Sequence, residues 1–206
     1  MEVEMTTREK IIYESLKLFS SKGYDGVSMR EIAAAVGIKG ASIYNHFKGK
    51  EDIFQAIFLE MTKQYEQAAD IMNIPSEQNE ETIRAYQETG EQQLLCMAEG
   101  LFSFFTQNEF VVMFRKLLVS EQHKSMLAAK YWKEYYMEAP VAFQTQIFSG
   151  LQQVGCFLGH DAKIMAVHFF SPIYYILCKF DLGCSYEESL ELVKSHIHSF
   201  CEVYQK

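Results

Sequence analysis

An all-α fold is the class this sequence predicts, and three observations carry that reading. Three prolines and 11 glycines in 206 residues leave little material for the closely spaced turns of a sandwich or barrel. Apolar residues recur at helical spacing along most of the chain. Twice, a Ser-x-x-Glu step stands where such a stripe begins, the spacing in which a serine and a glutamate cap each other at a helix start.

From Thr7 to Lys22, Ile11, Ile12, Leu16, Leu18 and Phe19 form a stripe opposite Arg8, Glu9, Lys10, Glu14 and Lys17, with Thr6 or Thr7 as cap and Gly23 as stop. Ser28-Met29-Arg30-Glu31 opens a second helix, and Gly37 turns the chain after Ala33-Ala34-Ala35-Val36. A third short helix is expected from Gly40 to His46. Lys48-Gly49-Lys50-Glu51-Asp52 then opens a long helix to about Ile71. Asn73-Ile74-Pro75-Ser76-Glu77 reads as a linker. Helical spacing resumes over 80–106, 109–120 and 122–137, breaks at Pro140, and continues over 141–154. The last two helices are expected over 161–181 and 185–204, the second with a capping box at Ser185-Tyr186-Glu187-Glu188.

Composition bounds the function. Hydrophobic residues make up 49% and charged residues 22%, which excludes disorder as the main state. The five cysteines, Cys96, Cys156, Cys178, Cys184 and Cys201, contain no C-x-x-C step, so neither a disulfide framework nor a zinc knuckle is encoded. An acidic start without an apolar core is not a secretory signal, and the most apolar stretch, Ile164 to Cys178, is short of the ~20 residues a membrane span needs. That stretch reads as a buried helix. A cytoplasmic protein with no membrane partner is expected. Scattered histidines, and the absence of nucleophile-elbow, phosphate-loop and dinucleotide fingerprints, point away from an enzyme and from any metal or cofactor.

Two short helices joined by a glycine turn, with an amphipathic helix before them, satisfy the requirements of a helix-turn-helix. Ile32, Val36, Ile38, Ile43 and Phe47 would hold the pair together, with Ala33 small at the crossing. That leaves Lys39, Gly40, Ala41, Ser42, Tyr44, Asn45 and His46 for a major groove, small or hydrogen-bonding types that can enter it. The formal charge of −8 argues against nucleic acid only as a global figure. Arg8 to Lys50 holds eight Lys/Arg against four acidic residues, a net of +4, whereas Glu51 to Lys206 has a net of −10. The positive face is local, as a DNA reader needs.

The run from Thr7 to Phe58 resembles the amino-terminal domain of the TetR family of bacterial transcriptional regulators. The likeness rests on Gly23-Tyr24, Val27-Ser28, Ile32-Ala33, Val36-Gly37, and above all Ser42-Ile43-Tyr44-Asn45-His46-Phe47 followed by Lys50-Glu51-Asp52-Ile53. The resemblance implies a helix-turn-helix DNA-binding domain over 1–50, a connecting helix from about 50 to 71, and a helical ligand-binding and dimerisation domain over 51–206. It implies that Ser28 meets phosphate, that Arg30 meets phosphate or a base, that Lys39, Ala41, Ser42 and Asn45 meet base edges, that Tyr44 and His46 pair on the backbone, and that Lys50 contacts it. Other readings stay open for several of these: an internal cap for Ser28, a solvated side chain for Arg30, a core ring for Tyr44 and a helix cap for His46.

Operator DNA in duplex form is the implied partner, read by a homodimer because one such motif presents too little surface. Phe169, Phe170, Ile173, Tyr174, Leu177, Leu190, Val193, Ile197 and Phe200 are the expected dimer residues, with a monomer's core as the other reading. The surplus of Met, Phe and Tyr points to an effector pocket for a small hydrophobic or amphipathic molecule, with Phe102, Phe105, Met113, Phe114, Tyr131, Trp132 and Tyr135 as candidate lining residues. The function so implied is a repressor that such a ligand releases from a near-palindromic operator. The competing reading is a cytosolic all-α binding protein or enzyme whose helix-turn-helix is fortuitous.

Overall fold

The structure, a computed structural model, describes residues 5–71, 84, 87, 88 and 90–205, apart from the side chain of Asp70. It is all-α, with no strand among the described residues beyond an isolated bridge between Phe157 and Gln205. The expected linker at Asn73–Glu77 and most of the expected helical turns over 80–89 lie outside the described residues. Helices α1 (Thr7–Lys22), α2 (Met29–Val36) and α3 (Lys50–Ile71) are followed by α4 (Glu91–Gln107), α5 (Glu109–Glu121), α6 (Met126–Lys133), α7 (Ala139–Gln153), α8 (Ala162–Asp181) and α9 (Tyr186–Tyr204).

The described residues pack as two compact units whose segments alternate along the chain: 1–67 with 109–132, and 68–108 with 133–206. In the first unit α1 buries Ile11, Ile12, Leu16 and Phe19, and α5 joins the same core through Val111, Phe114, Leu117 and Leu118. An aromatic series runs through it: Phe19 to Tyr24 (5.3 Å between centroids), Tyr24 to Phe54 (4.7 Å), Phe54 to Phe58 (4.9 Å) and Phe58 to Phe114 (5.3 Å). These tilted and edge-on contacts suit the ring quadrupoles. The Tyr13 hydroxyl donates to Glu109, which ties α1 to the start of α5 and pushes the phenol up to about 12.

The second unit is built on Phe148, Phe157, Phe169 and Phe200, with Phe200 5.1 Å from Phe148 and 5.0 Å from Phe169. His196 Nε2 lies 2.8 Å from the Phe169 carbonyl oxygen, pinning α9 to α8.

Four expectations about elements need correction. The third helix is a single 3₁₀ turn, Ser42–Asn45, flanked by three-residue bonds from the Ser42 N–H to Lys39 O (2.8 Å) and from the His46 N–H to Ile43 O (3.1 Å), with Gly40 and Gly49 on either side to disfavour extension into an α-helix. The segment 122–137 divides into α6 and a π-turn at Glu134–Glu138 that runs directly into α7, so Pro140 stands within a continuous helical path, two residues past the π-turn. The stretch Ile164–Cys178 is not wholly buried, since Ile164, Val167 and Tyr175 are exposed on α8. At Ser185 the cap forms in one direction only, the serine oxygen accepting from the Glu188 N–H at 3.2 Å.

Candidate nucleic-acid interface

At the start of α2 both halves of the capping box are made. Ser28 Oγ accepts from the Glu31 N–H (3.3 Å), and Glu31 Oε2 accepts from the Ser28 N–H (2.9 Å) and from the Ser28 hydroxyl (3.0 Å). These bonds, with Lys22 Nζ at 3.1 Å, hold the Glu31 carboxyl down at about 2. The serine hydroxyl is therefore committed inside the chain. The Met29 and Arg30 amides, the first two of a helix, have no intrahelical acceptor, and the Arg30 side chain is exposed beside them.

The turn and the segment after it follow from three side chains. Gly37 adopts φ 77° and ψ 26°, a left-handed conformation that lets its own N–H reach Ala34 O (3.2 Å) and the Ile38 N–H reach Ala33 O (3.0 Å). Ile43 and Phe47, four residues apart, are buried at 0% and 2% exposure and clamp the 3₁₀ turn to the core. With these two inside, Lys39, Gly40, Ala41, Tyr44, Asn45 and His46 are exposed and Ser42 is half-buried. Tyr44, at 58% exposure, is no core ring. Val36 and Ile38 are only half-buried, so Ile32, Ala33, Ile43 and Phe47 carry most of the packing.

Lys50 is held more tightly than its sequence position suggests. Its ammonium donates to the carbonyls of Tyr24 (2.8 Å) and Val27 (3.0 Å) and lies 4.3 Å above the Tyr24 ring. The Tyr24 hydroxyl donates to Glu51 (3.1 Å), and burial together with the Glu51 charge pushes that phenol up to about 12. The Tyr24 N–H meets the buried Glu121 carboxylate of α5 at 3.3 Å. These braces fix the turn leading into α2. Sequence reasoning missed them because main-chain carbonyls leave no side-chain signature, and Glu121 is far from the turn in sequence.

Residues 11–57 match the family model for bacterial regulatory proteins of the tetR family. Over these residues the chain is similar to the amino-terminal domain of that family. Over 48 residues it is 48% identical to IcaR, the negative transcriptional regulator of the icaADBC biofilm operon in Staphylococcus aureus, and 46% identical to IcaR of Staphylococcus epidermidis. That match covers 23% of this chain and 26% of IcaR, so the chain spans about a quarter of the length of the curated relatives it matches. Across nearly the whole chain the likeness is one of fold. A TetR-family protein from Mesorhizobium loti gives a TM-score of 0.71 at 23% identity over 97% of both chains. SmeT, solved as a complex with triclosan, gives 0.71 at 15% identity over 98% of this chain and 93% of its own. SmeT is the repressor of a Stenotrophomonas maltophilia multidrug efflux pump.

Outside the TetR-type domain the expected site residues disperse. Met113, Phe114, Tyr131 and Trp132 belong to the first unit, where Phe114 is fully buried and Tyr131 stacks on Phe58 at 4.2 Å. Phe102, Phe105 and Tyr135 belong to the second, where Phe102 is buried and stacks on Tyr186 at 6.1 Å.

Of the nine expected dimer residues, Phe169, Leu177, Leu190, Val193, Ile197 and Phe200 are buried by their own chain, while Phe170, Ile173 and Tyr174 are half-buried. The outer stripe of α8 instead carries Ile164, Val167, Ser171, Tyr175 and Cys178, spaced three or four residues apart and continued by Leu182 just past the helix end. Leu192 and Val203 are exposed on α9. Among the described residues no group of three His, Cys, Asp or Glu could hold a metal, and no helix is long and apolar enough to cross a membrane.

Proposed function

We propose that this protein is a sequence-specific DNA-binding transcriptional regulator of the cytoplasm, a repressor acting as a homodimer on a near-palindromic operator. The observation that carries the reading is the exposed row Lys39 to His46, anchored by Ile43 and Phe47 within a net-positive segment that is 48% identical to a negative transcriptional regulator. Ala41, Ser42 and Asn45 meet base edges, where the amide of Asn45 suits adenine and the methyl of Ala41 suits thymine. Lys39 meets bases beside them, and Gly40 lets the backbone approach. Tyr44 and His46 hold phosphates. Arg30 reaches phosphate beside the free amides of α2, which serve in place of the committed Ser28 hydroxyl. Lys50 braces the turn with two N–H groups and keeps its third for the backbone of the duplex.

The functional boundary near position 50 separates reader from effector and dimer region, although α5 packs with the reader. Two copies meet through the outward stripe of α8 and the exposed face of α9, with Phe170, Ile173 and Tyr174 at its margin. A small hydrophobic or amphipathic molecule releases the operator by binding better to a form whose two readers are wrongly spaced. The triclosan held by SmeT supports that ligand chemistry. The experiment that tests the reading is selection from a random duplex library by the purified protein. The expected result is an enriched inverted repeat whose half-site centres are about 34–36 Å apart or a multiple of that. Recovery of unenriched sequence would overturn the reading.

A further inference from the structure

We infer that Arg8 is a phosphate contact of the DNA interface that lies outside the helix-turn-helix, held beside the recognition turn by the ring of Phe47. The inference rests on the DNA-reading function proposed above.

The Arg8 guanidinium carbon lies 4.8 Å above the centroid of Phe47. Phe47 is 2% exposed and directly follows Tyr44, Asn45 and His46, so Arg8 covers the outer face of the ring that anchors the recognition segment. A planar guanidinium stacked on a ring uses its face for the ring and leaves its N–H groups along the edge to donate. That arrangement offers forked donors at a fixed place rather than at the end of a mobile side chain.

Two further features say that this charge is not there for the fold. Arg8 sits in the first turn of α1, where the partial positive charge of the helix end disfavours a cation. Among the described residues no carboxylate lies within ion-pair reach of it. The neighbouring Glu9 is occupied by the Thr6 N–H and hydroxyl, both at 2.8 Å. Lys22, at the other end of the same helix, is paired with Glu31. An arginine with no carboxylate partner among the described residues, placed against the helix dipole and over the ring that follows the exposed Tyr44 and His46 in sequence, is completed by an anion. In a protein that lays this face on DNA, the anion is a backbone phosphate. A lysine in the same place would bring the same charge without the planar fork.

The test is equilibrium binding of the full chain to a mixed-sequence duplex of about 30 base pairs, as wild type, R8Q and R8K, over about 50 to 200 mM salt. For R8Q the expected result is a log–log salt slope flatter by about 0.9 per chain, so that a two-copy complex loses about tenfold less affinity than wild type across that range. R8K keeps the wild-type slope with weaker binding. Wild-type slope in R8Q, with a lower melting temperature in both variants, would overturn the inference and leave Arg8 as a cover for Phe47. A wild-type protein with no salt dependence would overturn the DNA-reading function itself, and the two failures are told apart by the wild-type arm.

Discussion

The reader and the last two helices both present apolar stripes, yet the stripes mean different things. In the first fifty residues, Ile32, Ile43 and Phe47 are inside, as their spacing demands, because so small a segment has one place to bury them. On α8 and α9, Phe169, Leu190, Val193, Ile197 and Phe200 carry equally clear spacing and are also inside, but inside their own chain. The face left for a partner is the weaker pattern, in which Ser171 and Cys178 interrupt Ile164, Val167, Tyr175 and Leu182. Periodicity therefore reports burial without saying which chain supplies the cover.

The largest expected effect separates those two kinds of burial. Phe200→Ala should cost about 3–5 kcal/mol of folding stability, since its ring is shared with Phe148, Phe169 and Tyr204, and the loss of melting temperature should not depend on protein concentration. Tyr175→Lys, on the outward stripe, should leave the helical content intact while sedimentation shows one chain in place of two. Exchange of these two outcomes would return the inner residues to the dimer interface.

Next in size is discrimination by the reader. Asn45→Ala should relax preference at one base position by about 1–3 kcal/mol, measured by competition among single-substitution duplexes, with the other positions unchanged. A uniform loss across all duplexes would place Asn45 on phosphate instead.

Smaller again is the contrast between two caps with the same sequence signature. Ser28→Ala removes a hydroxyl that both accepts from the Glu31 N–H and donates to the Glu31 carboxylate and should cost about 1–2 kcal/mol, whereas Ser185→Ala removes one bond and should cost about 0.5–1 kcal/mol, both read from denaturant midpoints. Equal losses would show that the bond from the Ser28 hydroxyl to the Glu31 carboxylate adds nothing.

The smallest effects are in pH dependence, and their signs oppose. The Glu31 carboxyl titrates near 2 in the folded chain against its ordinary 4.5, so its contribution is present above about 4.5 and is lost as pH falls towards about 2. His198 is raised by its bond to Glu91, so its contribution is complete below its ordinary 6.5 and is lost as pH rises through the higher folded value. Side-chain NMR titrations should show the two midpoints displaced in these opposite directions. An unshifted Glu31 midpoint would mean that the capping box opens in solution.

Much of the reader was legible because its signals are local. The Ser28-x-x-Glu31 spacing, Gly37 at the turn, and the exposure of Lys39 to His46 once Ile43 and Phe47 are buried all follow from neighbours in sequence. What escaped depends on distant partners or on main chain. Lys50 reads as a free charge until the Tyr24 and Val27 carbonyls are seen to hold it. Glu121 has no local pattern to mark it, yet it is buried at 2% exposure against Tyr24. The candidate effector residues illustrate the same limit. Phe114 and Phe102 share a composition signal, but they belong to different packing units and each is buried against other rings.

The claim on which the rest depends is that a protein of net charge −8 meets DNA through a local positive face. Its most direct test is the affinity of the wild-type chain for a mixed-sequence duplex as a function of salt. The expected result is a straight log–log line with a slope of about −5 or steeper, reflecting six or more phosphates neutralised by the complex. Affinity that does not change with salt would contradict it.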